Sequence, residues 1–204
     1  DWFLVAAALP KLGPRFFLVH REASGMSVGD EPAMGLRSAA LGRVKLDGVR
    51  VPEDALLGGD DALKKGGLAA YRDAVNRARV AWGAMAVGAS QAVLDYVIPY
   101  CNEREAFGEP ISHRQAVAFM IADIGIEVES MRMLVYRAAG RIDAGLKCER
   151  EAYLARTLCA DKAMEIGTNG VQLLGGAGFI KDHPIEIWYR HLRAVGVMDG
   201  NLLV

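Results

Sequence analysis

Apolar residues that repeat every three to four positions form a long stripe in this chain and limit the folds open to it. The stripe lies between His113 and Ala144. Its spacing puts the apolar residues on one face, so the sequence predicts an α-helix of about that extent with a buried face. Ser112 and Gln115 have the spacing of a capping box at its start. The residues of the stripe are Val117, Met120, Ile121, Ile124, Val128, Met131 and Val135.

Three further helices are predicted around this one. They span roughly residues 69–102, 150–174 and 182–195. The middle of the first carries Ala, Gly and Ser on nearly every side, which is typical of a helix packed among other helices. We expect Asp182 to cap the N-terminus of the last helix. Long helices joined by short loops indicate an antiparallel four-helix bundle.

The first 51 residues are predicted to form β-strands. Apolar or alternating runs occur at residues 2–8, 16–19 and 43–47, and a strand is expected to resume at 49–51 after Gly48. The predicted fold class is therefore α+β, with a partial β-barrel or sheet segment followed by the helical bundle.

The same boundaries predict the domain organisation. Residues 1–58 would be the end of a β-rich domain, and residues 59–68, which are rich in Gly, Asp and Lys, would be a linker. Residues 69–204 would be the helical domain. The chain begins and ends in apolar segments, so we expect flanking sequence at both ends.

Composition excludes several classes of function. The chain is 52% hydrophobic with a net charge of −1, which provides no basic surface for nucleic acid. It contains no apolar run of the roughly 20 residues that a membrane span needs. The three cysteines and four histidines have no metal-ligand spacing, so we expect reduced thiols and no metal. The glycines at 175–178 follow a helix rather than a strand, which predicts a helix C-cap.

Three segments resemble the acyl-CoA dehydrogenase family. Residues 102–111 read NEREAFGEPI and are followed by RQAVAF at 114–119, similar to the family pattern R-x-x-F-G-x-P-I…Q-x-x-x-F. Residues 170–179 read GVQLLGGAGF, similar to V-Q-x-x-G-G-x-G-[YF]. Residues 34–52, from MGLRS to VRVP, resemble the last strands of the middle domain. Their order and spacing agree with the family along essentially the whole chain.

The resemblance implies an FAD-dependent reaction. In this family a carboxylate removes the α-proton of an acyl-CoA thioester, and the β-hydride passes to the flavin N5. Placing and desolvating the carboxylate raises its pKa and makes it a competent base. The resemblance also implies that an electron-transferring flavoprotein reoxidises the cofactor. On the same ground, the chain would lack the N-terminal helical domain and the first half of the β domain.

Site residues carry over from the family motifs position by position. Arg104 matches the arginine that meets the FAD pyrophosphate across a dimer interface, and Phe107 matches the aromatic residue beside FAD. Gln115 matches a residue that contacts FAD. The segment against the neighbouring subunit's FAD is matched by Gln172, Gly175 and Gly176.

The catalytic segment departs from the family pattern. The family usually has Y-E-G-T where this chain has MDGN at 198–201, so Asp199 stands where the glutamate base is expected. Gly200 would contact substrate, and Asn201 replaces a threonine that touches the flavin. Arg79 matches an arginine near the reaction centre. The alternative position for a glutamate base, on the first bundle helix, is Ala78 here.

Three interpretations of Asp199 stay open. It is the base, with the backbone adjusted for a side chain one methylene shorter, and the substrate is an acyl-CoA or another acidic C–H compound. In the second interpretation the chain is a non-catalytic structural or assembly subunit. In the third, Asp199 is a turn residue before Gly200. The first two predict a homodimer or homotetramer, and the bacterial cytoplasm and the mitochondrial matrix fit equally well.

Overall fold

The computed structural model describes residues 1–39, 41–64 and 67–198. These residues form two compact units. The first comprises Asp1–Ala33 and Arg37–Val75, and the second comprises Met34–Leu36 with the chain from Asn76 onward. Most of the strands belong to the first unit and the long helices to the second.

The first unit is built from two antiparallel strand pairs. β1 (Trp2–Leu9) pairs with β2 (Gly13–His20), with Trp2 opposite His20. β3 (Met26–Asp30) pairs with β4 (Gly42–Leu46). Across the described residues the strands pair two by two, and they do not close into a barrel.

Two features of this unit differ from the sequence prediction. The strand Met26–Asp30 was not predicted, because a run containing Gly and Asp has low β-propensity. The strand expected at 49–51 is wrong: these residues lie outside any strand. Gly48 turns the chain with a φ of 63°, and Pro52 provides no amide donor for a ladder.

A buried arginine holds the first unit together. Arg15 is 4% exposed and donates hydrogen bonds to the carbonyls of Ala62, Leu12 and Pro14 at 2.7, 2.7 and 2.9 Å. Ala62 lies in the short helix α1 (Gly59–Lys64). These bonds satisfy N–H donors of a guanidinium that is buried away from water. The domain boundaries at residues 58 and 69 stay a prediction.

Four long helices follow. They are α2 (Gly67–Glu103), α3 (Gln115–Asp143), α4 (Glu149–Leu174) and, after the single turn α5 (Gly176–Phe179), α6 (Ile185–Val195). Their bounds lie within three residues of the predicted ones. The helical half of the predicted fold class is therefore confirmed.

Ion pairs show that neighbouring helices run antiparallel. Arg137, late in α3, lies 3.8 Å from Glu151, early in α4. Glu127, nearer the middle of α3, lies 3.0 Å from Lys162, further along α4. Residue numbers therefore rise along one helix as they fall along the other, as the bundle prediction requires.

The predicted stripe of α3 faces the core. Ile124, Val128, Met131 and Val135 are buried, and the other three stripe residues are half-buried against the same core. Burying each such side chain contributes about 1.5–3 kcal/mol. The small residues of α2 allow close approach, since a Cβ on Gly83 would lie 2.9 Å from Cγ2 of Val135.

Both predicted N-caps are wrong. Ser112 lies in a 3₁₀ turn, and the N-cap of α3 is Arg114, which makes no side-chain cap hydrogen bond. Gln115 is therefore the first helical residue rather than the third. The last helix begins after Pro184 instead of Asp182, because proline's fixed φ suits the start of a helix.

The remaining sequence expectations concern cysteines, metals and membranes. All three cysteines are buried and unpaired with one another. Among the described residues, no group of His, Cys, Asp and Glu side chains is arranged to hold a metal ion. No helix in this part of the chain is long and apolar enough to cross a bilayer.

Candidate functional site

A tight hairpin after α2 displays an aromatic side chain. β5 (Glu105–Ala106) pairs with β6 (Glu109–Pro110), which leaves Phe107 and Gly108 as a two-residue loop. Their φ angles are 58° and 86°, the signs required by a type I′ turn. Glycine adopts this backbone freely, but phenylalanine rarely does. The positive φ of Phe107 therefore carries an energetic cost, and its side chain is 94% exposed.

The backbone of Arg104 is held by two hydrogen bonds, whereas its guanidinium is available to a ligand. Its amide donates to the carbonyl of Tyr100, and its own carbonyl accepts from the amide of Ile111, both at 2.8 Å. These bonds anchor the base of the hairpin. Within the described residues the guanidinium has no hydrogen-bond or ion-pair partner, and the residue is exposed. Such a group can bind an anion through two parallel N–H donors.

The start of α3 adds further polar groups beside the hairpin. Cζ of Arg114 lies 5.1 Å from the centroid of the Phe107 ring, and its Nη2 lies 3.3 Å from a carboxylate oxygen of Glu109. Gln115 is exposed at the first position of the helix. The first backbone amides of a helix have no intrahelical acceptor, so this terminus favours negative charge.

The end of α4 forms a glycine turn with an open surface. Gln172 is exposed, and its carbonyl accepts from the amide of Gly175 at 3.0 Å. Gly175 has a φ of 58°, and a Cβ on Gly175 or Gly176 would meet nothing within 4 Å. Gly178 is different, since a Cβ there would overlap the carbonyl of Val171. The turn therefore requires glycine at 175 for its backbone and at 178 for its packing.

The hairpin and the glycine turn lie at the same end of the bundle. Oη of Tyr100, one turn before Arg104, donates to the carbonyl of Leu174 at 3.4 Å. The structure thus brings the residues matched to FAD binding to one end of the bundle: Arg104, Phe107, Gln115, Gln172, Gly175 and Gly176.

Arg79 lies at the opposite end. It is half-buried one turn before Gly83, whose carbonyl is 3.9 Å from Sγ of Cys159 on α4. Arg156, one turn before Cys159, contacts the carbonyl of Val195 at the end of α6. Arg104 directly follows α2, so at a rise of about 1.5 Å per residue the roughly 25 steps from Arg79 separate the two by about 37 Å.

Three predicted site residues follow the turn at residues 196–198, after the end of α6. Asp199, Gly200 and Asn201 lie outside the described residues. The last described residue, Met198, belongs to a turn whose amides point back to α6, with that of Met198 itself 3.2 Å from the carbonyl of Ala194. The described chain therefore enters the predicted catalytic segment from the same end of the bundle as Arg79.

A buried arginine that sequence reasoning did not single out holds this end. Arg156 is 1% exposed, and its guanidinium donates to the carbonyls of Val195 and Met198. Burial raises the pKa of the neighbouring Cys159 thiol to about 12, an effect that the positive charge of Arg156 partly offsets. That thiol therefore stays protonated and is not a nucleophile near neutral pH.

A second set of contacts holds the body of α6. The amide of Leu36 donates to Nδ1 of His191 at 3.0 Å, and Nη1 of Arg190 donates to the carbonyl of Met34 at 2.7 Å. Burial lowers the pKa of His191 from its ordinary 6.5, and the charge of Arg190 lowers it further, while Glu186 opposes this. A neutral ring is required, because protonated Nδ1 could not accept the Leu36 bond.

A surface groove lies beside the turn that follows α6. It has a volume of about 660 Å³ and is lined by α3, α4 and the segment after α6, including Leu134, Tyr153, Thr157 and Val197. None of the predicted site residues that the structure describes lines it.

Comparison with known proteins defines the class to which this bundle belongs. Residues 65–202 match the family described as "Acyl-CoA dehydrogenase, C-terminal domain". The match covers all of α2 to α6 and both groups of candidate residues. The chain belongs to the acyl-CoA dehydrogenase family.

Particular relatives include several dehydrogenases. Cyclohexane-1-carbonyl-CoA dehydrogenase from Geobacter metallireducens is 35% identical over 92% of this chain and 49% of its own length. The structure of butyryl-CoA dehydrogenase from Megasphaera elsdenii superposes with a TM-score of 0.86 at 26% identity, covering 98% of this chain and 53% of that one. A glutaryl-coenzyme A dehydrogenase solved with glutaryl-CoA gives a TM-score of 0.88 at 27% identity, covering 100% and 52%.

Proposed function

We propose that this chain forms part of an FAD-dependent enzyme that introduces a double bond between the α and β carbons of an acyl-CoA thioester. The observation that carries the proposal is the clustering of an exposed, strained Phe107 with the unpaired guanidinium of Arg104 and the open glycine turn. The chain spans about half the length of the curated relatives it matches. Much of the flavin and acyl-chain contact would therefore come from outside these residues.

The described residues fit an FAD molecule at the hairpin end. Arg104 offers paired N–H donors suited to a pyrophosphate, and the first amides of α3 favour the same negative charge. The outward ring of Phe107 offers a flat apolar face for an aromatic group. Without side chains, Gly175 and Gly176 let backbone approach a bound cofactor closely.

The opposite end would supply the proton chemistry. Bound FAD supplies an acceptor for the substrate hydride. Asp199 would take the α-proton, which requires a carboxylate placed within hydrogen-bond reach of that carbon and shielded from water. Arg79 and Gly200 would bind the substrate beside it, and Asn201 would face the flavin.

The separation of the two ends implies a site shared between subunits. About 37 Å lies between Arg79 and Arg104, more than one catalytic centre occupies. Each end would therefore serve a different FAD, as in a homodimer or a homotetramer. An exposed apolar line on α3, with Phe119, Ile126 and Met133 spaced seven residues apart, supports further association of copies.

Oligomer formation can be tested on that line. The substitution Ile126→Glu puts a charge on a 63% exposed apolar residue and should lower the molar mass found by light scattering. Exposed Asp123→Asn on the same helix is the control. An unchanged mass for Ile126→Glu would show that this face is not the contact surface.

The electron acceptor and the cellular location are proposed from the family alone. The reduced enzyme needs an acceptor, and an electron-transferring flavoprotein is the proposed partner. The bacterial cytoplasm and the mitochondrial matrix remain equal predictions.

The aspartate at 199 favours a second candidate function. A carboxylate shorter than the usual glutamate indicates either a different acidic C–H substrate or a structural subunit without activity. A misplacement of about 1 Å can lower a rate on the order of 100-fold, so the shorter side chain matters.

The test is a visible spectrum of the complete, FAD-loaded protein before and after anaerobic addition of saturated acyl-CoA thioesters of graded length and branching. The proposal predicts loss of the oxidised-flavin band with at least one of them. Loss of the band with another acidic C–H compound, such as a nitroalkane, and with none of the thioesters would support the different substrate. Stoichiometric FAD that no compound reduces, together with co-purifying partner chains, would support the structural subunit.

A further inference from the structure

Arg156 lies where an arginine is rarely found. It is 1% exposed, on a face of α4 whose neighbours Ala152, Ala155, Cys159 and Ala163 are all buried. Placing a guanidinium in such surroundings is costly unless hydrogen bonds satisfy its donors. Small side chains on this face leave room for the long arginine side chain, so the arrangement is built around it.

The guanidinium binds backbone carbonyls at the C-terminal end of α6 and in the turn that follows it. Nη1 donates to the carbonyl of Val195, the last residue of α6, and Nη2 donates to the carbonyl of Met198. The last carbonyls of a helix have no intrahelical donor and need an outside partner. The amides of Val197 and Met198 bond back to Ala194 at 3.0 and 3.2 Å. One planar group therefore fixes both sides of the turn that follows the helix.

Other contacts hold α6 independently of Arg156. His191 and Arg190 bind the segment Met34–Leu36, and these bonds lie one to two turns before the helix end. Loss of Arg156 would therefore loosen residues 195–198 and leave the rest of α6 in place. This separation makes a local effect measurable.

We propose that Arg156 is a positioning residue for the predicted base, because it holds the backbone of Met198, the residue before Asp199. The inference rests on the proposed function, since it takes Asp199 as the base. Arg156 holds Met198 through a charge-assisted bond from a planar group whose side chain is confined by core packing. A shift of about 1 Å in Asp199 would lower proton abstraction on the order of 100-fold.

The test uses Arg156→Met, which keeps the length and apolar stem, and Arg156→Lys, which keeps the charge but not the planar fork. Arg132→Met is the matched control, because Arg132 bridges α3 and α2 through Gln91 at 2.6 Å. All are made in the complete, FAD-loaded protein. Flavin content, affinity for a non-reducible CoA thioester and the rate of flavin reduction are measured for each.

The proposal predicts a specific pattern. Arg156→Met retains FAD and thioester affinity while flavin reduction slows on the order of 100-fold. Arg156→Lys restores part of the rate, and Arg132→Met leaves it unchanged. In an Asp199→Asn background, Arg156→Met has almost no further effect, because two residues acting through one step are not additive. Equal losses in both backgrounds would show a merely structural role and overturn the proposal.

Hydrogen–deuterium exchange provides a readout that does not depend on activity. Arg156→Met should speed exchange of the Val197 and Met198 amides about 10- to 100-fold, with no change at residues 185–191. Unchanged exchange at 197–198 would refute the holding of the backbone, whatever the rates are. If Asp199→Asn alone leaves reduction unchanged, the proposed base is refuted, and the claim about Asp199 falls with it. The exchange result then decides whether Arg156 holds the turn.

Discussion

Replacing Phe107 should raise stability and lower FAD affinity at the same time. Phe107 has a φ of 58° in a type I′ turn, and the left-handed region costs a residue with a side chain roughly 1–2 kcal/mol. Asparagine tolerates this backbone, and Asn-Gly is the favoured pair for such a turn. Phe107→Asn in the FAD-free protein should therefore increase the free energy of unfolding by about 1 kcal/mol. Urea unfolding measures this change.

Phe107→Asn should also weaken the binding of FAD. Stacking of an aromatic side chain on a nucleotide base contributes about 1–3 kcal/mol, so the Kd for FAD should rise about 5- to 150-fold. Phe107→Ala is the matched control, since it removes the ring but keeps a Cβ at positive φ. It should weaken FAD binding similarly without gaining stability. A Kd for Phe107→Asn within twofold of the unsubstituted protein would refute the role of the ring.

Two further predictions concern stability. Because the folded-state pKa of His191 lies below 6.5, the group contributes stability above about pH 6.5 that is lost as pH falls through the folded-state pKa. His191→Asn, whose amide oxygen can still accept from the Leu36 amide, should flatten this decline. The melting temperature is measured between about pH 7.5 and about pH 5, a range that brackets the ordinary pKa of histidine. An unaltered slope would assign the decline to other groups. Gly83→Ala should destabilise by about 1–3 kcal/mol through overlap with Val135, whereas Gly88→Ala, with nothing near its Cβ, should stabilise by about 1 kcal/mol. Chemical denaturation of the pair tests this, and equal signs would contradict it.

The bundle could be predicted because the spacing of its apolar and small residues matches the way its helices pack. The stripe from Val117 to Val135 and the small residues around Gly83 each carry a helical period or a size pattern over many positions. Such redundancy tolerates an atypical residue. Helix ends depend on one or two residues, and there the prediction was wrong. Ser112 has the spacing of a cap, but a 3₁₀ turn occupies it and α3 starts later.

The candidate site was predictable only where a motif marks it. A family motif marked Phe107 and Gly108, but the hairpin that they form was not predicted, because the two-residue strands beside them are too short to show a period. Arg156 gave no such signal, because a single arginine within a helix usually lies at the surface. Its burial depends on Val195 and Met198, about 40 residues away in sequence, and long-range pairing of this kind leaves no local pattern.

The most direct test of the whole account is the single-turnover rate of flavin reduction by a saturated acyl-CoA in the complete protein and in Asp199→Asn, with the exposed Asp182→Asn as control. If Asp199 is the base, its loss slows reduction about 100- to 10,000-fold while FAD stays bound, and the control keeps its rate. Reduction at the original rate in Asp199→Asn would contradict the account.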